Sequence, residues 1–217
     1  MREKYNREIL DLIRSIQNID FIKPEDIPNI DLYMDQVTTF MEKELASSKR
    51  HEDDKILTKT MINNYTKNDL LPAPVKKKYS RDHLYILAFI YYFKSILSIN
   101  DIKTILDPLT SQFFDTDKTS ELDIIYKEVY NMCKSEVSSI SQDISSKADK
   151  ADNAFENFTD NDDDKEFLQF FALICTLIFD VYLKKNLIEN LIDDYASRHP
   201  VTDAKNKKQA KKKQDKE

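Results

Sequence analysis

Glycine is absent from this sequence of 217 residues, whereas an average usage of about 7 % would supply roughly fifteen. Glycine adopts a positive φ without a steric penalty, so we expect few turns that need this backbone conformation. The phosphate-binding loops of P-loop proteins and of dinucleotide-binding proteins require glycine, and both kinds of nucleotide site are therefore excluded. The absence of glycine predicts an all-α fold.

Residues 58–79 carry the clearest indication of a function. Thr58 is a suitable N-cap for a helix that begins at Lys59. Helical spacing gives this helix an apolar side, formed by Met61, Ile62 and Tyr65. The other side has no carboxylate, and it consists of Lys59, Thr60, Asn63, Asn64 and Lys67. Amide and hydroxyl groups can pair with base edges in the major groove, whereas lysines bind phosphates.

A basic arm follows this helix. Leu70 and Leu71 are expected to return the chain to the core, and two prolines stiffen the residues after them. A short helix followed by a proline-bounded basic arm is typical of a winged helix. We therefore expect the bases of double-stranded DNA to be read by Thr60, Asn63 and Asn64, and its phosphates to be bound by Lys59, Lys67, Lys76, Lys77 and Lys78.

The order of residues in this stretch resembles the DNA-binding domain of the MerR family of bacterial transcription regulators. In that family a recognition helix is followed by a Leu-Leu-Pro wing, a Tyr-Ser step and a long apolar helix. This sequence has Leu70-Leu71-Pro72, Tyr79-Ser80 and an apolar helix predicted over residues 81–96. It departs from the family at Asn63-Asn64, where the family has Arg-Tyr, and at Asp69, where the family has glycine.

Residues from about Ile30 to Pro108 more closely resemble a family of uncharacterised proteins from low-GC Gram-positive bacteria, catalogued as a domain of unknown function. The segments 32–40 and 57–79 carry this resemblance. It implies a MerR-like winged helix-turn-helix fold and a transcriptional regulator, and it implies no enzyme.

Helical patterns also cover the flanking segments of the first half. Amphipathic helices are predicted over residues 3–18 and 31–45. The polar segment 46–55 exceeds an ordinary helix-turn-helix turn, so either this loop is elaborated or the two helices do not form that motif. Further on, Ser98 can cap a short helix that Pro108 is expected to end.

Three regions are predicted along the chain. Residues 1–110 form the winged-helix domain with its N-terminal helix, residues 119–196 a helical dimerisation or effector region, and residues 197–217 a disordered basic tail. The second region contains two long helices, which should pack antiparallel or exchange with a second chain. They could line a pocket for a small-molecule effector, form a plain dimerisation core, or bind a protein partner.

The apolar run Phe167–Leu183 raises the question of a membrane span. A span needs about twenty apolar residues. This run contains Gln169 and Asp180, and two lysines follow it closely. We therefore expect a buried or dimer-interface helix and no membrane partner.

The residue types that carry catalysis or bind metals show no motif spacing. The three histidines are scattered, and Cys133 and Cys175 stand apart, so we expect no metal site, no cofactor and no catalytic group. The acidic loop 160–164 lacks the glycine and the closing glutamate of a calcium loop. The spacing of the cysteines and the charged first twenty residues favour the cytoplasm.

Charge is segregated along the chain, although the formal net charge is −6. Residues 57–104 contain eight basic and three acidic residues, whereas residues 149–166 contain eight acidic and two basic residues. A locally basic patch is better evidence for nucleic-acid binding than the total charge. The sequence thus favours a cytoplasmic, homodimeric, sequence-specific DNA-binding transcriptional regulator. The alternative is a helical protein-protein interaction module that does not bind DNA.

Overall fold

The fold is mostly helical in the computed structural model, which describes residues 11–12, 21–115, 121–155, 158 and 161–199. These ranges contain six long or medium α-helices, a short 3-10 helix and one two-stranded antiparallel sheet. In chain order the elements are β1 (Leu32–Tyr33), α1 (Met34–Glu44), the 3-10 helix (Ala46–Ser48), α2 (Lys59–Lys67), β2 (Lys78–Tyr79), α3 (Arg81–Phe93), α4 (Ile99–Phe113), α5 (Glu121–Asp152) and α6 (Asp162–Arg198). Most of the predicted helix over 3–18 and the predicted tail from residue 200 onward lie outside the described residues.

Side-chain caps fix the starts of α2 and α4, as predicted. The Thr58 hydroxyl accepts a hydrogen bond from the backbone N–H of Met61 at 3.2 Å, so α2 begins at Lys59. At α4 the backbone N–H of Asp101 donates to the Ser98 hydroxyl at 3.2 Å, and the Asp101 carboxylate accepts from the Ser98 N–H at the same distance. These caps satisfy N–H groups that would otherwise lack an intrahelical partner.

Helix α3 is the centre of the main core. Seven consecutive residues, Leu84–Ile90, are buried, because other elements cover every side of the helix. The cluster around it draws on α1 through Val37 and Met41, on α2 through Ile62, and on α5 through Leu122 and Tyr126. The N-terminal end of α5 therefore shares a core with the helices that precede it.

The two short strands pair in an antiparallel sheet that the all-α expectation did not include. Leu32 pairs with Tyr79, and Tyr33 pairs with Lys78. Ahead of β2, the N–H of Lys78 donates to the carbonyl of Val75 at 2.9 Å, and the reverse bond is 3.1 Å. The two residues between them, Lys76 and Lys77, have φ of 50° and 65°. Positive φ at both central residues is the conformation of a type I′ turn, which usually contains Asn-Gly.

Three predicted helix boundaries are wrong. The helix predicted over residues 81–96 ends at Phe93. Residues 32–33 are strand instead of helix, because they pair with β2. The helix predicted to end at Pro108 continues to Phe113. Proline removes only the hydrogen bond to the carbonyl of Thr104, while Leu109 and Phe113 pack against the main core and hold the last turns in place.

Helices α5 and α6 form an antiparallel hairpin, as expected for two long consecutive helices. The side-chain amide of Gln169 donates to the carbonyl of Ala154 at 3.2 Å, near the loop. Farther from the loop, the ammonium of Lys147 lies 3.1 Å from a carboxylate oxygen of Asp180. Between these contacts Leu173 packs against two alanines of α5.

Acidification below about pH 6.5 is expected to destabilise the fold through His83. The Ser80 N–H donates to Nδ1 of this buried ring at 3.0 Å, and burial lowers the pKa of His83 despite nearby carboxylates that raise it. Because the unfolded chain binds the proton more readily, the free energy of unfolding falls as the pH drops below the unfolded pKa. Urea unfolding between pH 7.5 and 5 would measure this slope.

A His83→Gln variant provides the control for this pH dependence. Glutamine at this helical position can accept the same capping bond but does not titrate. We expect a shallower pH slope in His83→Gln than in the wild type. Equal slopes would assign the acid sensitivity to other groups.

Candidate nucleic-acid interface

The exposed face of α2 carries all five residues that the sequence assigned to it. Ile62 is fully buried beneath them, and Met61 and Tyr65 are half-buried. The exposed set consists of Lys59, Thr60, Asn63, Asn64 and Lys67. Within the described part of the chain, the structure shows no hydrogen-bond partner for the side chains of Thr60, Asn63 and Asn64. Their polar groups are therefore available to a ligand.

The C-terminal end of α2 is fixed by a Schellman motif. The Leu70 N–H donates to the carbonyl of Tyr65 at 2.8 Å, and the Asp69 N–H donates to that of Thr66 at 3.2 Å. Asp69 has a φ of 55°, in the left-handed region where glycine is most common. The chain then buries Leu70 and the residue after it, which fixes the direction of the arm.

The lysine arm contains a tight turn over residues 75–78, here named the wing, with its charges at the tip. Lys76 and Lys77 are exposed and have no ion pair in the described ranges. Lys78 is half-buried, and its ammonium lies 5.3 Å from the centre of the Tyr33 ring. The ring shields one side of this ammonium, but the strand pairing keeps it beside the turn.

The N-terminus of α1 connects the wing with the start of α2. Tyr33, which pairs with Lys78 of the wing, directly precedes α1. Asp35, in the first turn of α1, lies 3.9 Å from the ammonium of Lys59. The structure thus brings the wing and the first residue of α2 to the same end of α1.

Three other basic residues of the 57–104 segment have structural contacts. The ammonium of Lys94 donates to the Ile56 carbonyl at 2.8 Å, and burial lowers the pKa of Lys94. Arg81 donates to the Pro24 carbonyl at 3.0 Å, and Lys103 donates to the carbonyl of Asn68 at 3.1 Å. The five remaining lysines of this segment are those that the sequence predicts to bind DNA phosphates.

Two carboxylates flank the basic face. Asp35 is exposed beside Lys59, and Asp69 is exposed at the opposite end of α2, 3.9 Å from the Lys103 ammonium. An anion that approaches the face would be repelled by both. The net effect of Asp35 is to weaken the local positive potential at the start of α2.

An apolar cavity of about 520 Å³ lies away from this face, between the C-terminal part of α6 and the helices α3 and α4. Its lining includes Phe93, Leu97, Ile105, Ile188, Ile192 and Tyr195. The sequence left an effector pocket open as one of three roles for the two long helices, with Tyr126 and Phe171 among the aromatic residues that could line it. Tyr126 is part of the main core and Phe171 is exposed. Periodicity could not show this cavity, because its walls come from segments about ninety residues apart.

No group of three His, Cys, Asp or Glu side chains that could hold a metal ion occurs among the described residues. The acidic run after residue 160 lies at the start of α6, where the Asn161 side chain caps the helix by accepting from the Asp163 N–H at 3.2 Å. Carboxylates in a first helical turn interact favourably with the helix dipole.

Helix α6 is largely uncovered by its own chain. By length and composition it is the one described helix that could cross a membrane, yet only 11 % of its apolar window is buried. Large side chains such as Phe167, Ile178 and Phe179 are each more than half exposed. The sequence predicted that this helix is either buried or part of a dimer interface. The first of these predictions, burial within a single chain, is wrong.

A family described as a domain of unknown function (DUF1836) matches residues 22–133, just over half of the chain. The matched segment contains α1 to α4, the two-stranded sheet and the start of α5. No curated protein and no solved structure matches the chain.

Proposed function

Because the chain belongs to the DUF1836 family, whose description names no activity, we propose from its surface that it is a sequence-specific regulator that binds double-stranded DNA. The observation that carries the proposal is the exposed face of α2, where two amides and a hydroxyl stand between lysines. Asn63 and Asn64 are the residues that can pair bidentately with adenine in the major groove. The resemblance to MerR-like winged helices supports the same assignment.

The wing supports this proposal through its backbone. A lysine at positive φ costs roughly 1–2 kcal/mol, and this turn places two such residues side by side. Backbone strain of this kind is often retained where a side chain has a function. Contact between these two ammonium groups and phosphates would account for lysine at positions that favour asparagine and glycine.

As a DNA reader in the cytoplasm, the protein is expected to act as a homodimer, because two-fold symmetric proteins bind two half-sites of a palindromic operator. A small-molecule effector or a protein partner would be bound by the C-terminal helices. We propose no catalytic role and no cofactor.

Fluorescence anisotropy with duplex DNA from upstream of the protein's own gene would test the proposal across a salt series. The wild type is expected to prefer this duplex over a scrambled one. Asn63→Ala should reduce the preference by about 1–3 kcal/mol, while the Lys76/Lys77/Lys78→Ala triple variant should weaken binding to both duplexes and lower the salt slope by about three.

Two controls sharpen this experiment. Asp35→Asn removes a carboxylate beside Lys59 and should tighten binding to both duplexes, most strongly at low salt. Glu128→Gln changes an exposed carboxylate on α5 and should leave binding unchanged. Absence of binding to any duplex at low salt would contradict the proposal.

The second candidate function is a protein-protein interaction module without DNA binding. The exposed apolar surface of α6 favours it, because monomeric soluble proteins rarely expose contiguous apolar patches above roughly 600 Å². Such a module would be indifferent to the wing lysines. A partner that binds the wild type and the Lys76/Lys77/Lys78→Ala variant equally well, in the absence of DNA binding, would favour this candidate.

A further inference from the structure

The face of α6 that points away from α5 carries an apolar stripe. The packed face holds Gln169, Leu173 and Asp180, which contact α5. About half a helical turn away, at spacings of three and four residues, lies the apolar stripe, formed by Phe167, Phe171, Ile174, Ile178 and Tyr182. These five side chains are 61 %, 53 %, 36 %, 62 % and 59 % exposed. This spacing is the one that helices use to pack along each other.

The exposed area of the apolar stripe is large enough for a specific interface between two copies of the chain. At roughly 200 Å² for a large side chain, the exposed parts of the five residues amount to about 500 Å². Two such surfaces would together bury about 1,000 Å², the lower limit for a specific interface. Phe170 and Val181, at 44 % and 61 % exposure, flank the stripe and would add to this area.

The contacts of α5 argue against a bilayer as the occupant. Lys147 of α5 lies 3.1 Å from Asp180, which is within the apolar run Phe167–Leu183 of α6. The outer side of α5 is polar and includes exposed Ser138, Ser139 and Gln142. If α6 crossed a membrane in this arrangement, α5 and both charges would enter the hydrocarbon region, where charged groups are costly.

We propose that the apolar stripe binds the apolar stripe of a second copy of this chain, with the two α6 helices antiparallel about a two-fold axis next to Cys175. The stripe is centred between residues 174 and 175, so Phe167 would contact Tyr182 of the other chain, and Phe171 would contact Ile178. Each α6 would then lie between its own α5 and the other α6.

Charge complementarity selects the antiparallel direction. Asp164, in the acidic first turn of α6, projects on the same side as the apolar stripe. Lys185 projects on that side one turn beyond Tyr182, where its ammonium lies 3.3 Å from the Glu189 carboxylate. In the antiparallel pair Asp164 of each chain faces Lys185 of the other. A parallel pair would bring the acidic turns together and the lysines together, which is unfavourable.

This inference specifies the interface of the homodimer expected of a DNA reader, but it depends only on α6. The test of DNA binding and the test of dimerisation can therefore give negative results independently of each other. A chain that dimerises through the apolar stripe without binding any duplex would retain this inference and overturn the proposed function.

Disulfide crosslinking of the full chain tests the direction of the helices. In a Cys133→Ser/Cys175→Ser background, Phe167→Cys/Tyr182→Cys places two thiols about 22 Å apart along one helix, too far for a bond within one chain. We expect copper-phenanthroline to produce covalent dimers from this variant. The single variants Phe167→Cys and Tyr182→Cys should remain uncrosslinked, because each position lies far from its own copy in the antiparallel pair.

Light scattering after size exclusion tests the apolar stripe itself. Ile178→Asp should weaken dimerisation by at least about tenfold, since a buried unpaired carboxylate is costly. The matched control is Ile124→Asp on α5, which replaces an isoleucine of the same 62 % exposure and should leave the dimer intact. The helical circular dichroism of both variants should equal that of the wild type, which would exclude unfolding as the cause.

Three results would overturn the inference. One is a monomeric wild type at about 100 μM, a concentration at which a dimer with a dissociation constant of about 1 μM would be largely formed. Another is crosslinking of the single cysteine variants, which would indicate parallel helices. The third is flotation of the wild type with phosphatidylcholine vesicles that is lost in Ile178→Asp, which would assign the stripe to a membrane.

Discussion

Replacement of Lys76-Lys77 by Asn-Gly is expected to stabilise the protein and to weaken the DNA binding proposed for it. The two lysines have φ of 50° and 65°, so relief of their strain should raise the free energy of unfolding by about 1–3 kcal/mol. The same change removes two ammonium groups from the wing tip. We expect affinity for duplex DNA to fall about tenfold at low salt and the salt slope to decrease by about two.

The Lys76→Gln/Lys77→Gln variant separates strain from charge. It loses the same two charges as Asn-Gly, but it keeps a side chain at both positive-φ positions. Urea unfolding should therefore show stabilisation only for Asn-Gly, while anisotropy should show the same loss of DNA affinity for both variants. Wild-type affinity in both would remove the wing from the proposed interface, and lower stability in Asn-Gly would contradict the assignment of the turn.

Tyr126→Ala is expected to reduce the free energy of unfolding by about 3–5 kcal/mol. Tyr126 is 3 % exposed, and its ring centre lies 4.6 Å from that of Tyr85 and 5.4 Å from that of Phe89. Its hydroxyl donates to the carbonyl of Ile22 at 2.8 Å. The substitution would leave a cavity where α5 packs against α3, and it would leave this buried carbonyl without its partner.

Two further variants divide this effect into packing and hydrogen bonding. Tyr126→Phe keeps the ring and should cost only about 1–3 kcal/mol, the penalty for an unpaired buried carbonyl. Met132→Ala, on the same helix but 61 % exposed, should change stability by less than about 0.5 kcal/mol. Urea unfolding measures all three. A small effect of Tyr126→Ala would mean that α5 does not contribute to the core of the N-terminal half.

Local signals explain why the start of α2 and its exposed face could be predicted. Two signals specify α2: the N-cap at Thr58 and the helical periodicity that separates the buried Ile62 from the exposed Asn63. Both signals lie within ten residues of the sequence. The placement of Thr60, Asn64 and Lys67 on its exposed face follows from the same periodicity. Their role toward DNA stays a prediction.

The wing could be predicted only in part, because its geometry depends on distant residues. The strand pairing joins residues 32–33 to residues 78–79, and no pattern within either segment specifies the other. The absence of glycine suggested few residues at positive φ, yet Asp69, Lys76 and Lys77 adopt it in this one region. Composition indicates which backbone conformations a chain can adopt at a low cost in free energy. Strand pairing and burial elsewhere in the fold can compensate for the strain of an unfavourable turn.

The C-terminal half shows a similar limit. An antiparallel pair of long helices followed from two uninterrupted apolar patterns. These patterns could not show which faces of α6 stay exposed to solvent, because apolar residues lie nearly all round this helix. The alanines near the end of α5 pack against Leu173, while Phe171 two residues away stays exposed.

The continuity of α5 has a mechanical consequence. Its 32 residues extend from the main core at Tyr126 to the loop that leads into α6, with no proline to interrupt them. A straight helix of this length is about 48 Å long. A tilt of about 10° about Tyr126, which lies about 39 Å from the far end, would therefore displace that end by about 7 Å. In a dimer joined through α6, small changes in how α5 sits on α3 would be amplified into large changes in the separation of the two N-terminal halves.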